Sequence, residues 1–209
     1  MPRMAKILLT GFEAFGGEAV NPSWLVAQAL HGQRIGAGVV HAQGLPCVFG
    51  SALEVLHRAL AVQRPVLVLA LGQAAGRADF ALERVAINLD DAGIVDNAGA
   101  QPVDEPVVRG APAAYFSTLP MKAMVQALRQ AGLPASVSPS AGTYVCNHVF
   151  FGLMHALRRR RGCRGGFMHL PLLPEQAARQ SGQPSLPLAT QVQGVHIALA
   201  AALAPAACP

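Results

Sequence analysis

Short apolar runs alternate with longer segments whose apolar residues recur every three or four positions, and loops rich in Gly, Asp and Asn separate them. Lys6-Ile-Leu-Leu-Thr10 predicts a buried strand opening into the loop Gly11-Phe-Glu-Ala-Phe-Gly-Gly17. Asn21-Pro-Ser-Trp24 starts a helix to about Leu30, since proline is preorganised for a first turn and asparagine can accept its orphan N–H groups. Val39 to Pro46 predicts a second strand, and Ser51 to Gln63 a helix with Leu53, Val55 and Leu56 toward the core. Pro65-Val-Leu-Val-Leu-Ala-Leu71 reads as a fully buried strand, and Phe80 to Leu89 as another extended segment. Ala113 to Ala131 carries a helix, and Ser136-Val-Ser138 with Gly142 to Val145 leads into a helix from Asn147 to Arg159. Phe167 to Leu170 is a strand and Thr190 to Ala204 the last helix.

Continuous apolar runs belong to strands covered on both faces. Their alternation with helices predicts an α/β fold, a three-layer α/β/α sandwich around a largely parallel, mixed and twisted sheet. No repeat or linker divides the chain, so residues 1–209 form a single domain with a frayed tail at about 205–209. Sites in such sheets lie at the carboxyl ends of strands. Four loops sit at such ends and are expected to converge on one pocket: Gly11 to Gly17, Gly72 to Gly76, Asp90 to Gly99, and the turn at Cys146.

Composition narrows the setting. With 209 residues, 52% of them hydrophobic and 13% charged, the chain can bury one large core. Cys47, Cys146, Cys163 and Cys208 form no C-x-x-C pair, and the N-terminus lacks a signal-peptide pattern, so a reducing cytoplasm without disulfides is expected. The net charge of +5 draws attention to Arg158 through Arg161 and to Arg164. That run closes a predicted helix, where cations complement the dipole, and no aromatics interleave it, so a solvated helix end is favoured over a nucleic-acid surface. No segment has the ~18 to 20 uninterrupted apolar residues of a membrane span.

Several familiar motifs fail on inspection. Gly72-Gln-Ala-Ala-Gly76 lacks the G-K-[ST] ending of a phosphate loop, the Gly11 to Gly17 loop lacks dinucleotide spacing, and no G-x-S-x-G elbow occurs. His148 and His155 have no carboxylate companion at ligand spacing, so satisfied or exposed histidines are expected, with no metal.

Cys146 opens a helix, where unpaired N–H groups and the positive dipole end favour a thiolate and supply an oxyanion donor. Against this stands the ordinary reading of cysteine as a core residue. His169 interrupts an apolar strand and is followed by the rigid Leu170-Pro-Leu-Leu-Pro-Glu-Gln176, which makes it the candidate base or a satisfied core histidine. Glu83 lies among apolar neighbours and needs a partner, either Arg84 or the His169 imidazole.

The segments "LLTGFEAFGG" followed by "NPS", "LGQAAGR", "ERVAINLDDAGIVDN", "AGTYVCN" and "HLPLLPEQ" resemble, in order and spacing, the pyroglutamyl peptidase I family, also called pyrrolidone carboxyl peptidases. The resemblance spans nearly the whole chain. It implies a cytoplasmic cysteine exopeptidase that hydrolyses the amide bond after an N-terminal pyroglutamyl (5-oxoprolyl) residue through a thioester, without cofactor and commonly as a homotetramer. Its nucleophile falls on Cys146, its base on His169 and its acidic partner on Glu83.

The flat, uncharged lactam of such a substrate calls for apolar walls and a few directed hydrogen bonds. Phe12, Phe15, Ile94, Tyr144 and Val145 are candidate walls, and Gln73 and Asn21 candidate readers of the lactam N–H and C=O, although Asn21 also reads as a helix start. One departure stands out: the family pattern D-A-R-I-P-D-N is here Asp91-Ala-Gly-Ile-Val-Asp-Asn97, with Gly93 in place of an arginine near the oxyanion. Glycine there suggests a positive φ that arginine would resist. The loss also opens an alternative, a catalytically weakened homologue that binds pyroglutamyl peptides or small lactams. Tyr144 stands where phenylalanine is usual, and its hydroxyl needs a partner.

Overall fold

The computed structural model describes residues 4–204, so the expected tail at 205–209 and Cys208 lie outside the described residues. In chain order the elements are β1 (Ala5–Phe12), α1 (Pro22–Leu30), β2 (Arg34–Ile35), β3 (Gly38–Leu45), α2 (Ser51–Gln63), β4 (Leu67–Gln73), β5 (Phe80–Glu83) and β6 (Val85–Ile87). They continue with β7 (Ala114–Phe116), α3 (Met121–Gln130), β8 (Ala135–Ser138), α4 (Val145–Leu157), β9 (Arg164–Leu170), α5 (Pro174–Ala177) and α6 (Leu188–Leu203).

Among the described residues, a seven-stranded sheet has the order β2-β3-β1-β4-β9-β5-β8. Strands β3, β1, β4 and β9 run parallel, as the buried apolar runs of β1 and β4 predict. The sheet is mixed because β2 is antiparallel to β3, and β5 is antiparallel to β9 with β8 parallel to β5. Successive residues of a strand face opposite sides, and the core divides accordingly. Ile7, Leu9, Leu67, Leu69 and Leu71 pack under α1, α3 and α6. Leu8, Phe12, Val68 and Ala70 pack under α2 and α4. This is the expected three-layer sandwich, and it fixes the face of every strand residue in the site.

Three local differences from the sequence pattern have physical causes. The extended run Phe80 to Leu89 breaks at the exposed Arg84: β5 belongs to the main sheet, whereas β6 pairs with β7 in a separate antiparallel ribbon. Part of Ala113 to Ala131 is therefore strand β7, and the helix begins only at Met121. In α2 the sealed positions are Ala52, Leu56, Ala59 and Leu60, while Leu53 and Val55 are half-buried.

The arginine run closes α4 as expected. Arg158 is the C-cap, its guanidinium donates to the His155 carbonyl, and Arg160 Nη1 donates to Leu60 O at the end of α2 at 3.0 Å. Both cations thus meet the negative ends of helices. No helix among the described residues is long and apolar enough to cross a membrane.

Candidate active site

Strand alternation puts Glu83, His169 and Gly72 on the sheet face covered by α4. In the antiparallel β5–β9 pair Ala81 lies opposite His169 and Glu83 opposite Phe167, so Glu83 reaches His169 diagonally on one face. Glu83 Oε1 stands 2.8 Å from His169 Nδ1. The carboxylate is 0% exposed and can only accept, so Nδ1 carries the proton and Nε2 keeps its lone pair. Arg84 is exposed, and Glu83 is accompanied instead by Arg77, whose Nη2 lies 3.6 Å from Oε1 and donates to Ser138 Oγ at 3.1 Å.

Cys146 is the second residue of α4. The N-cap, Tyr144, offers no side-chain acceptor, which leaves the first-turn N–H groups free for another acceptor. The thiol packs against Gly72, where an added Cβ would come within 2.9 Å of Cys146 Sγ and 2.7 Å of the Phe167 ring. Gly72 is opposite His169 in the β4–β9 register, so thiol and imidazole share the same patch of sheet. Any larger residue at 72 would push them apart. Burial raises the Cys146 pKa, and the fields of Cys47 and Glu83 act in the same direction. The helix dipole alone suggested a thiolate; burial acts against it and holds the thiol above its ordinary range.

Phe15 and Phe49 flank Tyr144, with ring centroids at 6.1 and 5.5 Å, and the Tyr144 hydroxyl donates to Val95 O at 3.0 Å. That bond supplies the partner the hydroxyl required and ties the Asp90 to Gly99 loop to the first turn of α4. Phe12 and Val145 are sealed in the core at 2% and 0% exposure. Phe12 packs against Phe167, which in turn packs on His169, and Val145 is the first residue of α4, directly before Cys146. Ile94 is exposed at the rim. Gly93 does not take a positive φ, and a Cβ built there meets nothing within 4 Å, so the expected resistance to arginine is absent.

Of the two polar candidates, Asn21 is committed elsewhere. Its Oδ1 accepts from Ser23 N–H at 3.1 Å and Ser23 Oγ–H at 2.7 Å, and its amino group donates to Glu13 O, which is helix capping and loop support. Gln73 Oε1 accepts from Gln176 Nε2 at 3.0 Å, leaving the Gln73 amino group available. Gln176 is itself held by Leu173 N–H and Val20 O. Three supporting residues escaped the sequence reading: Arg77, Gln176 and Asn147. Asn147 follows Cys146 and clamps Ile87 and Leu89 by hydrogen bonds of 2.9–3.0 Å. All three lie inside the quoted motifs, where polar residues amid apolar ones were the available signal.

His148 is a satisfied histidine: Nδ1 pairs with Asp90 Oδ2 at 2.7 Å and Nε2 accepts from Gly50 N–H at 3.0 Å. His155 Nδ1 meets the Tyr115 hydroxyl at 2.9 Å. A concavity of ≈ 580 Å³ lies at the amino ends of β4 and β9, lined by Arg64, Arg160, Arg161 and Cys163, and none of Cys146, His169 and Glu83 borders it.

The "Pyroglutamyl peptidase" family model matches residues 5–204. The chain is 59% identical over 202 residues to a pyrrolidone-carboxylate peptidase of Cupriavidus taiwanensis, covering 96% of this chain and 94% of that protein. A pyrrolidone-carboxylate peptidase of Klebsiella pneumoniae is 58% identical over 200 residues, with the same coverage of both chains. The crystal structure of pyroglutamyl peptidase I from Bacillus amyloliquefaciens superposes with a TM-score of 0.92 at 45% identity, covering 95% of this chain and 96% of that one. A mutant pyrrolidone carboxyl peptidase from Pyrococcus furiosus gives 0.91 at 40% identity, covering 95% and 98%. With a buried His–Glu pair facing a thiol at a helix start, and this likeness along its whole described length, the chain belongs to the pyroglutamyl peptidase family.

Proposed function

We propose that the protein is a cysteine exopeptidase that removes the N-terminal pyroglutamyl residue of peptides, with Cys146 as nucleophile, His169 as base and then acid, and Glu83 as orienter. The observation that carries this reading is the His169 Nδ1–Glu83 contact of 2.8 Å on the same patch of sheet, over Gly72, that receives the Cys146 thiol.

The thiol gives its proton to His169 Nε2 as Sγ attacks the pyroglutamyl carbonyl carbon. The imidazolium is stabilised by the Glu83 carboxylate. The developing oxyanion meets the Cys146 N–H, and a backbone N–H of the Asp91 to Ile94 loop is the second donor. His169 then protonates the leaving amine, the C–N bond breaks, and a Cys146 thioester remains. Water, deprotonated by His169, attacks the thioester; pyroglutamate leaves and the thiol regains its proton.

The free amino group of Gln73 donates to the lactam carbonyl, while Phe15, Tyr144 and Ile94 border the ring. An uncyclised N-terminal glutamine would bring an ammonium group into this apolar surround without a partner. Turnover of a pyroglutamyl amide, with glutaminyl amide cleaved at least ~100-fold more slowly, is the expected result, since an unpaired buried charge costs several kcal/mol. Comparable cleavage of the two amides would refute the pocket.

A weakened homologue that only binds pyroglutamyl peptides or lactams draws support from Gly93, which brings no side chain to the oxyanion. Binding without turnover would favour it. A reducing cytoplasm suits a nucleophilic thiol among free Cys47, Cys146 and Cys163, and a homotetramer completes the proposal, testable by light scattering.

A further inference from the structure

Glu83 accepts the His169 Nδ1–H and is enclosed by protein, with the Arg77 guanidinium beside it. The residue is 0% exposed and its second oxygen, Oε2, is buried without a hydrogen-bond partner. Around it stand His169 from β9, Cys146 from α4, Ser138 from β8 and Arg77 from the loop after β4. Among the described residues Arg77 is the one arginine or lysine paired with Glu83.

The placement of Arg77 is built, not incidental. Ser138 lies opposite Glu83 in the β5–β8 register and is 3% exposed. Its Oγ donates to Ser140 O at 3.1 Å and accepts from Arg77 Nη2, which holds the guanidinium 3.6 Å from Glu83 Oε1. That is the same oxygen that receives the His169 Nδ1–H.

We infer that Arg77 is a positioning residue for the reaction: through Glu83 it keeps the His169–Glu83 pair from taking up a proton until the pH falls below the working range. The inference rests on the proposed role of that pair. Arg77 touches neither thiol nor substrate. Its positive charge opposes any further proton on the pair, so its removal makes protonation easier and moves the acid limb of the kcat/KM profile to higher pH. The guanidinium is 35% exposed, so solvent and salt weaken the effect.

The test compares wild type, Arg77→Gln, Arg77→Lys and Ser138→Ala on a pyroglutamyl amide across pH. Arg77→Gln should shift the acid limb upward by ~0.5–1.5 pH units, a loss of ~3- to 30-fold on the acidic flank, with the alkaline plateau within ~2-fold. Arg77→Lys should restore the wild-type limb, and Ser138→Ala should shift it the same way by less. The His169 imidazole ¹⁵N titration, followed by NMR, should move upward in parallel and needs no turnover. Should wild type prove inactive, the proposed function fails and the titration still judges Arg77. An unmoved titration in folded Arg77→Gln, or in Ser138→Ala if the first variant does not fold, overturns the inference. So does an equal loss of rate at every pH.

Discussion

Among the described residues two buried histidine–carboxylate pairs lie within this fold, and they differ in what the second ring nitrogen meets. His169–Glu83 and His148–Asp90 have nearly the same Nδ1 contact, 2.8 and 2.7 Å, and both histidines are 5% exposed. The difference is at the other nitrogen. His148 Nε2 accepts the Gly50 N–H, so its ring is bonded on both sides and joins the start of α2 to α4 and the Asp90 loop. No protein donor occupies His169 Nε2 among the described residues, and its ring lies beside Gly72 and the Cys146 thiol. A carboxylate partner therefore does not make a base; the unspent lone pair does.

The comparison is broken most sharply at the two histidines and at Glu83. His169→Asn should lower kcat/KM by ~10³- to 10⁴-fold while leaving the thermal midpoint nearly unchanged, measured by steady-state kinetics and calorimetry. Glu83→Gln should cost ~10²- to 10³-fold, because an amide can donate to Nδ1 and so favours the wrong tautomer. His148→Ala should do the reverse. It leaves Asp90 and the Gly50 N–H without their partner, so unfolding by urea should show a loss of ~2–4 kcal/mol, with kcat/KM reduced less than ~10-fold. A His148 variant as inactive as His169→Asn, with full stability, would erase the distinction between the pairs.

The smallest effect is expected at Gly93. Open space and an ordinary φ remove the steric objection to arginine, so Gly93→Arg should fold with unchanged stability. If two backbone N–H groups already hold the oxyanion, kcat/KM changes by less than ~5-fold. A rise of ~10- to 100-fold would mean that a charge-assisted bond of ~1.5–3 kcal/mol had been missing in the transition state.

Much of the fold and the centre of the site could be read from the sequence, for reasons that differ by residue. Cys146, His169 and Glu83 each interrupt an apolar pattern, and such interruptions carry a desolvation cost that needs a cause. Strands β1 and β4 announced themselves as nearly continuous apolar runs, whereas β3 carries His41 and Gln43 and β9 carries His169. By contrast, the run Phe80 to Leu89 stays suitably apolar while changing sheets, because β6 also packs on the α4 side of the core. The burial of Phe12 and Val145 was not legible, because sequence tells which residues are apolar but not how a strand end or first helical turn packs. Arg77 and Gln176 gain their meaning from contacts with Glu83 and Gln73, six and 103 positions away, which only the assembled sheet brings about. The state of the Cys146 thiol needed the fold as well, since the helix start is local but burial is not.

The central claim is that Cys146 carries the acyl group and that His169 makes this possible. Rapid acid quenching of the enzyme during turnover of a pyroglutamyl amide, followed by mass spectrometry of its peptides, tests it most directly. The account predicts one pyroglutamyl group, as a thioester, on the peptide containing Cys146 in the wild type, and almost none in His169→Asn over the same interval. Turnover with no adduct, or an adduct on Cys47 instead, would contradict it.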